Sequence, residues 1–457
     1  MLIEEIERAA KILKAIVKEK KVKIFSHYDA DGLTSASILL KMFLRANVNF
    51  EVKILKQLTS RIVEKIKFTD EDVLIFSDLG SGQIDLLKKF MEKTQVFILD
   101  HHEPILLQHP NLFHLNPLLF NEEEISASII SYLFAKSFSI QNTDLIDLAI
   151  VGALGDEQDE GWVLKGLARK VLEEAENLGK ITVTKGIRLY GRNTRPIHKT
   201  LELSFDPFIP GITGSESQAI QFLAELGIPV KDGNDWKKLK DLTIEEQKKL
   251  ASAIILERLK FSHPNAVDIF GEIYTIVGRG EEFQDAREFA TILNACGRTY
   301  NFDLAIKLCL GEEDFAKVWE IMENYRKKIS EAIKLLREEK MIISTENANF
   351  ILAGNKIPDT LIGTIVSIAL NSNILNSNKP VFGLAENEEG ELKVSARANK
   401  SLNINLKEVL SHAVKQLKGE AGGHTHAAGA LIDKNFQNDF VNIVDKKLGE
   451  MLGKEKG

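Results

Sequence analysis

Short apolar runs alternate with amphipathic stretches over residues 1–160. The runs are typical of buried strands, and apolar positions spaced by three or four are typical of helices with one buried face. The predicted strands are VKIFS, EVKILK, DVLIFSD, QVFILD and NLFHLNP, and the predicted helices cover residues 2–18, 33–46, 84–93, 125–138 and 143–159. This alternation predicts βαβ units, and therefore an α/β domain built on a mostly parallel sheet.

The pattern changes after residue 177, which indicates further domains. Residues 177–201 contain six Lys or Arg and no acidic residue. In the small module that follows, Thr243 and Glu246 have the spacing of a capping box at the start of a helix. A stripe of apolar positions later predicts a long connector helix. The predicted divisions are 1–201 for the first domain, 202–281 for an inserted module, 282–312 returning to the first domain, 313–340 for the connector helix and 341–457 for a smaller C-terminal α/β domain.

The length and composition indicate a globular protein with several domains. A chain of 457 residues is too long for one ordinary core, and 44% apolar with 27% charged residues is a normal globular balance. The net charge of -7 disfavours a purely electrostatic nucleic-acid binder, but it allows an enzyme whose acidic site is offset by metal.

The cysteines and the apolar runs bear on the compartment. Cys296 and Cys309 have no paired spacing, which indicates a reducing compartment with neither a disulfide framework nor a zinc knuckle. The N-terminal residues lack a signal-peptide pattern, and the apolar runs are too short to cross a bilayer. We therefore expect a soluble, cytoplasmic protein with no membrane partner.

Three side chains of ligand type follow the first predicted strand, in the sequence HYDADG. His27, Asp29 and Asp31 alternate, and in an extended segment residues two apart point the same way, so all three can face one point. Gly32 permits a tight turn, and the next helix offers amide donors to an anion. Taken alone, the same residues are more typical of a plain turn with a capping aspartate.

Three further motifs add acidic and imidazole groups. Asp78 in SDLGSG and Asp100 in LDHHE end predicted strands, and Asp156 in ALGDEQD ends an apolar helix. His101 and His102 diverge, so one can bind metal while the other reaches a substrate. Each motif alone also fits a helix cap, a solvated loop or a helix end. Because ligands bind beyond the carboxyl ends of parallel strands, the motifs together predict one site.

Four of these aspartates would lie close together at one sheet edge: Asp29, Asp31, Asp78 and Asp156. Such a cluster requires cations, because the like charges otherwise repel. Carboxylates with a histidine and no thiolate suit Mn²⁺ or Mg²⁺ better than zinc. The motifs supply enough ligands for two ions, and two metals about 3.5–4 Å apart serve in-line attack on phosphorus. The sequence therefore predicts a site for two divalent ions.

The order and spacing of HYDADG, SDLGSG, LDHHE and ALGDEQD resemble those of the DHH phosphoesterase superfamily. That superfamily includes RecJ-type exonucleases, oligoribonucleases, cyclic-dinucleotide phosphodiesterases and family II pyrophosphatases. The resemblance implies metal ligands at Asp29, Asp31, Asp78, His101 and Asp156, with His27 as a further ligand. The alternative for His27 is an outer hydrogen bond to a carboxylate.

The resemblance also implies how catalysis proceeds. Asp31 and His101 act as metal ligands, while His102 contacts the scissile phosphate and helps to stabilise its developing charge. Water activated by the metals attacks phosphorus, so no separate protein base is needed.

Two later motifs narrow the resemblance to nucleases. LNACGR, residues 293–298, is similar to a motif of RecJ nucleases, with Cys296 where bacterial proteins have alanine. VSARA and GGHTHAAGA resemble the DHH-associated C-terminal domain, although a Gly-Gly-His sequence also suits a plain turn. The implied substrate-binding residues are Asn294 and Arg298 at the nucleic-acid backbone, and Ser395, Arg397, Gly422, Gly423 and His424 at nucleotide phosphates.

Two features point to partners. The inserted module resembles that of archaeal RecJ-like proteins, including GINS-associated nucleases, and this implies a replisome partner such as GINS. In the basic run, Tyr190 can stack on a base while nearby cations follow a single strand, although a solvated loop is an equal alternative. The cations of that predicted track are Lys185, Arg188, Arg192 and Arg195.

The resulting functional hypothesis is a metal-dependent exonuclease acting on single-stranded DNA or RNA in replication or repair. One alternative is a phosphodiesterase for short oligonucleotides or dinucleotides, whose chains typically lack the module and connector. A second alternative is a non-catalytic replisome scaffold, which loss of the motif carboxylates would indicate. LNACGR and the Gly-Gly-His segment disfavour a pyrophosphatase.

Overall fold

The structure, a computed structural model, describes residues 1–204, 207–261, 266–312, 314–338, 341–371, 374–375 and 378–454. The chain divides into two compact units, Met1–Trp319 and Glu320–Gly457. The predicted connector positions 313 and 339–340 lie outside the described residues, as do positions 455–457 of the predicted C-terminal domain.

The central sheet of the first unit has five strands, all parallel to their neighbours, in the order β2–β1–β3–β4–β5. The strands are β1 (Lys21–His27), β2 (Phe50–Leu55), β3 (Asp72–Ser77), β4 (Val96–Leu99) and β5 (Leu112–Leu115). β3 and β4 are buried along their whole length, as expected for strands covered on both faces. The predicted α/β class with a mostly parallel sheet is confirmed.

The register of the strands aligns their carboxyl ends. Ser26 of β1 pairs with Ser77 of β3, and Ser77 pairs with Leu99 of β4, which in turn pairs with Leu115 of β5. The chain therefore leaves four neighbouring strands at one level. The residues at that level are His27, Asp78, Asp100 and Asn116.

Helices cover both faces of this sheet. They are α1 (Leu2–Ile16), α2 (Ala30–Arg45), α3 (Ser60–Lys65), α4 (Ile84–Met91), α5 (Ala127–Phe138), α6 (Ile146–Gly155) and α7 (Gly166–Asn177). One face, including Phe25, Phe76 and Ile98, shares a core with α3 and α4. On the other face, α2 packs against β1 and α5 against β4, and α6 packs on α2 and α5.

A smaller subdomain is inserted after α7. Strand β6 (Ile181–Ile187) pairs antiparallel with β9 (Phe270–Ile276), and the chain between them folds around its own core from Ile187 to Ile269. The core of the subdomain therefore begins at Ile187, before residue 202, where the sequence prediction placed the start of the inserted module. The intervening elements are α8 (Ile197–Glu202), α9 (Glu216–Glu225), β7 (Lys231–Asp232), β8 (Asp235–Trp236) and α10 (Ile244–Lys260). The predicted Thr243–Glu246 capping box is confirmed at the start of α10.

The predicted single-strand track along residues 177–201 is wrong for two of its cations. Arg188 and Arg195 are only 7% and 6% exposed. The guanidinium of Arg188 lies over the ring of Trp162, and that of Arg195 lies 5.0 Å from the ring centre of Trp319. The alternative of a solvated loop is also wrong for residues 181–187, which form β6. The aromatic partners come from other parts of the chain, so the basic run alone did not reveal them.

After the insertion the chain returns to the first helical layer. Helix α11 (Ala286–Arg298) packs against α2 and α6, and α12 (Phe302–Cys309) packs against α2 and α11. α11 approaches the turn after β1 so closely that a Cβ on Gly297 would lie 1.8 Å from the Tyr28 carbonyl oxygen. Helix α13 (Phe315–Glu338) then runs from the first unit into the second.

The second unit contains a six-stranded mixed sheet in the order β10–β11–β12–β13–β15–β14. Its strands are β10 (Ile342–Ser344), β11 (Asn349–Gly354), β12 (Val381–Glu386), β13 (Glu391–Arg397), β14 (Glu420–Gly423) and β15 (Ala427–Asp433), and its further helices are α14 (Ile362–Asn371), α15 (Leu406–Leu417) and α16 (Gln437–Lys454). The predicted hairpin is the antiparallel pair β12–β13. Within the described ranges, no helix is both long and apolar enough to cross a bilayer.

We expect Gly297→Ala to lower the free energy of unfolding by about 1–3 kcal/mol or more, because the new methyl group would collide with backbone rather than with a flexible side chain. Urea unfolding measures the change. Gly453→Ala is the matched control, because a Cβ added to this helical glycine would have nothing within 4 Å and should cost no stability. Equal stability of the two variants would contradict the close approach.

Candidate metal centre

Two groups of donor atoms meet at the carboxyl edge of the parallel sheet. Asp78 belongs to the first group and also contacts the second. Asp78 Oδ2 lies 3.3 Å from His27 Nδ1, and Asp78 Oδ1 lies 3.3 Å from His101 Nε2. The first group is His27, Asp29 and Asp78, and the second is Asp31, His101 and Asp156. Within each group the donor atoms lie within 4.8 Å of one another. The tertiary structure therefore brings together the six residues that the motifs predicted as ligands.

The backbone at Asp78 directs its side chain into the site. β3 ends at Ser77, and Asp78 adopts a left-handed conformation with φ of 57°. Aspartate tolerates this conformation better than most residues, because its short polar side chain can bond locally. The Asp78 N–H still donates to the carbonyl of Leu99 at 2.9 Å, so the turn remains tied to β4.

The turn after β1 differs from the sequence prediction. Asp29 caps α2 by accepting the N–H of Gly32 at 3.0 Å, and the helix begins at Ala30. The expectation of an extended segment through Asp31 is therefore wrong, because Asp31 lies in the first helical turn. Asp31 nevertheless joins the site, with its Oδ2 3.8 Å from His101 Nε2.

Asp31 is held by a second helix that sequence reasoning did not connect with it. Its two carboxylate oxygens accept the N–H groups of Ala127 and Ser128 at 2.8 and 2.9 Å. These are the first residues of α5, where the helix dipole favours a negative charge. The side chain of Asp31 is 1% exposed, and these two hydrogen bonds hold its carboxylate in place.

The two adjacent histidines occupy different environments. The side chain of His101 is 1% exposed, and its Nδ1 lies 3.0 Å from Glu124 and 3.6 Å from Asp156. The side chain of His102 is 31% exposed, and its Nδ1 lies 2.7 Å from Asp100 Oδ1. His101 therefore faces the carboxylates, whereas His102 lies at the accessible side of the cluster.

Asp100 is a site residue that the sequence prediction placed at a strand end but gave no role. It is fully buried, and it accepts the N–H groups of Ser81 and His101, each at 2.8 Å. Burial alone would raise the pKa of Asp100, but the imidazole of His102 holds it below its ordinary value. Asp100 directly follows a strand, as Asp78 does, and this shared placement in the sequence could have indicated that it belongs to the site.

Three other side chains support the ligands from outside. Glu124 bonds His101 Nδ1, and Gln158 donates to Asp156 Oδ2 at 3.0 Å. Asn294 accepts the N–H of Ala30 at 3.0 Å through its Oδ1. Glu124 stands in an acidic run with no motif, so nothing in the sequence distinguished it. The predicted contact of Asn294 with substrate stays a prediction, as does that of half-buried Arg298.

The electrostatics of the cluster favour bound positive charge. Burial, reinforced by the charge of Asp78, raises the pKa of Asp31 to about 7. Burial also raises the pKa of Asp156 well above its ordinary value, despite the nearby imidazole of His101. Burial lowers the pKa of His27, but Asp29 and Asp78 more than offset this and raise it well above the ordinary value. The carboxylates thus compete for protons that a divalent cation would replace.

The orphaned polar atoms also fit a cation. His27 Nδ1 and Asp78 Oδ2 are buried, and neither makes a hydrogen bond of acceptable geometry to the described part of the chain. Buried polar atoms without hydrogen bonds are rare and call for an explanation such as an ion. Carboxylate and imidazole donors without thiolate suit Mn²⁺ or Mg²⁺, so the residues fit the predicted pair of ions.

The predicted phosphate-binding residues of the second unit lie on or directly after β13 and β14, the two strands that flank β15. A Cβ on Gly363, at the start of α14, would lie 3.3 Å from Ser395 Oγ and 3.8 Å from Arg397 Nη2, so both side chains point to that helix. Gly422 and Gly423 end β14, and the N–H of His424 donates to the carbonyl of Ala427 at 2.8 Å. These residues form a tight turn between β14 and β15.

Comparison with known families gives three matches in chain order. Residues 21–153 match the N-terminal domain of the DHH family. Residues 189–268 match the DHH-CID domain, and residues 350–450 match the DHHA1 domain. The first match contains every residue of the two donor groups except Asp156, and the third contains the two predicted phosphate-binding motifs.

Two relatives differ in how much of the chain they share. An uncharacterised protein of Methanocaldococcus jannaschii is 32% identical over 471 residues, which cover 99% of this chain and 100% of the relative. The single-stranded-DNA-specific exonuclease RecJ of Bacillus subtilis is 25% identical over 192 residues. That alignment covers 38% of this chain and 24% of RecJ.

Two solved structures share the fold over nearly the whole chain. RecJ from Thermus thermophilus in complex with Mn²⁺ has a TM-score of 0.58 at 19% identity, covering 98% of this chain and 55% of RecJ. CDC45 from Entamoeba histolytica has a TM-score of 0.66 at 14% identity, covering 98% of this chain and 99% of CDC45. The three family domains, with the similarity to the RecJ exonuclease and the shared fold, show that the chain belongs to the DHH superfamily of phosphoesterases, as a RecJ-like member.

Proposed function

We propose that this protein is a divalent-metal-dependent exonuclease that hydrolyses phosphodiester bonds of single-stranded DNA or RNA, in replication or repair. The observation that carries the proposal is the position of Asp78, with one carboxylate oxygen 3.3 Å from a donor atom of each group. A shared carboxylate between two donor sets suits a pair of ions acting on one phosphate. Membership of the phosphoesterase superfamily and the likeness to RecJ support the same conclusion.

The two donor groups would hold Mn²⁺ or Mg²⁺, one ion each, with Asp78 contributing to both. Bound there, the ions would supply Lewis acidity that lowers the pKa of water and neutralises phosphate charge. Two side chains keep the ligands oriented. Gln158 donates to Asp156 Oδ2, and Glu124 is hydrogen-bonded to His101 Nδ1. Such outer contacts set the orientation and basicity of the ligands.

We assign His102 the contact with the scissile phosphate. The Nδ1–H of His102 donates to Asp100 Oδ1 at 2.7 Å, which fixes the ring. Burial lowers the pKa of His102, but the charge of Asp100 more than offsets this and raises it, which favours the imidazolium, whose Nε2–H is a donor. A donor held in advance near the developing charge stabilises the transition state without reorganisation.

Substrate binding extends beyond the metal centre. Asn294 uses Oδ1 for Ala30, so its amide NH₂ is the group that can donate to a phosphate oxygen. We assign Arg298 to the nucleic-acid backbone as well. In the second unit, Arg397 can grip a phosphate with two donors, and the glycines permit close backbone approach. The residues assigned there are Ser395, Arg397, Gly422, Gly423 and His424.

A non-catalytic scaffold is the second candidate, favoured by the likeness to CDC45 over 99% of that chain. Fold alone does not decide between catalysis and scaffolding, because function resides in the site. The complete donor set favours catalysis. We also propose that the protein is cytoplasmic and that it has a replisome partner such as GINS.

The proposed function predicts a ladder of products from end-labelled single strands. Single-stranded DNA and RNA, each labelled at either end, should be shortened stepwise from one end in Mn²⁺, and a matched duplex should resist. Gel analysis gives the polarity and the sugar preference. Cleavage confined to dinucleotides would favour the short-substrate phosphodiesterase, and no cleavage with any metal would favour the scaffold.

Asp78→Asn is expected to lower kcat/KM by more than about a hundredfold, because even outer partners of metal ligands are worth 10–100-fold. The variant should also lose the rise in thermal midpoint that Mn²⁺ gives the parent chain. Asp85→Asn, at an exposed position of α4, is the matched control. Retention of Mn²⁺-dependent stabilisation by Asp78→Asn would contradict the shared-ligand assignment.

His102→Ala is expected to lower kcat by about 10²–10³-fold, the typical effect of removing one donor to a developing charge. Mn²⁺ affinity, measured by thermal shift, should stay close to that of the parent, because His102 lies at the accessible side of the cluster. A large loss of Mn²⁺ affinity with little change in kcat would make His102 a metal ligand instead.

A further inference from the structure

Helix α11 ends in a turn that usually has glycine or asparagine at its left-handed position, and this chain has Tyr300 there. The N–H of Tyr300 donates to the carbonyl of Gly297 at 3.1 Å, and the N–H of Asn301 donates to that of Cys296 at 2.8 Å. This pair of bonds defines a Schellman motif with Tyr300 at its left-handed position. Its φ is 60°, which is uncommon for a bulky side chain.

Helix α2 of the same unit ends in the same motif, and its left-handed position holds a residue that is common there. After α2, the N–H of Asn47 donates to Leu44 at 3.2 Å and that of Val48 donates to Phe43 at 3.1 Å. Asn47 has a φ of 52°, and asparagine is a usual substitute for glycine there. The helix end alone therefore gives no reason for a tyrosine, and strained residues of this kind cluster at ligand sites.

Two separate contacts place Tyr300 beside the metal centre. Gly297, three residues earlier, packs against the carbonyl of Tyr28, which lies between the donor residues His27 and Asp29. From the other side, the ammonium of Lys56 lies 4.6 Å from the ring centre of Tyr300.

Lys56 belongs to the same edge of the sheet. It follows β2 directly, and its carbonyl lies 3.1 Å from His27 Nε2. The lysine thus joins the tyrosine to the metal-binding turn.

The ring is accessible to a ligand. Tyr300 is 46% exposed, although Lys56 lies over it and Phe302 meets it edge-on at 6.0 Å. An exposed aromatic ring beside a cation, at the rim of a phosphate-cleaving centre, matches the two parts of a nucleotide. The ring suits the base and the ammonium suits the phosphate.

We propose that Tyr300 is a stacking platform for a nucleobase of the single-stranded substrate, with Lys56 holding an adjacent phosphate. The proposal rests on the proposed function and deepens it, because it gives the site a preference for nucleotides over other phosphodiesters. Stacking on a base is tolerant of sequence, since every base has a π-face.

The test compares two probes, a labelled ten-residue oligothymidylate with phosphorothioate linkages and the same backbone with every base removed. Binding to the full chain in Mn²⁺ is measured by fluorescence anisotropy. Tyr300→Gly should weaken binding of the oligothymidylate about tenfold and leave binding of the abasic probe unchanged. Tyr300→Phe, which keeps the ring, should bind both probes as the parent does.

Asn47→Gly is the matched control, because it makes the same backbone change in the same motif about 24 Å along α2 from the turn at Asp29. It should leave both affinities unchanged. Tyr300→Asn also suits the left-handed position and should reproduce the Tyr300→Gly result, even if the glycine variant folds poorly.

Equal weakening of both probes by Tyr300→Gly, or no weakening of either, would overturn the stacking role. Failure of the nuclease proposal has a different signature. A chain that produces no ladder, yet loses base-dependent binding on Tyr300→Gly, would keep the platform without catalysis.

Discussion

Mutual repulsion among carboxylates gathered around Asp78 is the constraint on which this structure depends. The register of the parallel sheet delivers several of these groups to one level, whatever their charge. Two helix N-termini offset part of the repulsion, because Asp29 caps α2 and Asp31 accepts N–H groups of α5. The proposed divalent ions would offset the rest. The pKa of Asp31, raised to about 7 by burial and by the charge of Asp78, reflects the remaining repulsion.

Helix α11 connects the turn after β1 with the inserted subdomain. Near its start, Glu288 accepts the N–H groups of Gly191 and Arg192 at 2.7 and 3.1 Å. Near its end, Asn294 holds the first residue of α2, and Gly297 allows contact with the turn before it. The LNACGR segment therefore has a structural role in this chain, beside any contact with substrate, and its glycine is required by backbone contact.

The likeness to both RecJ and CDC45 concerns the fold. The role of a chain with this fold depends on its site, because catalysis needs particular groups at particular distances and a scaffold does not. The platform proposed at Tyr300, with Lys56 beside it, would add recognition of a base to recognition of the reacting phosphate.

The sequence by itself determined the α/β class and the strand ends, because buried strands have a short-range apolar pattern. The six donor residues were predicted from motifs that follow strands or, for Asp156, end a helix. The tertiary structure decided what depends on distant partners. Asp31 meets α5 across 96 residues, and Ala30 meets Asn294 across 264. Burial of Arg188 against Trp162 and the bond of Glu124 to His101 likewise follow from packing. Local patterns specify elements, whereas burial and partner choice arise only when those elements pack together.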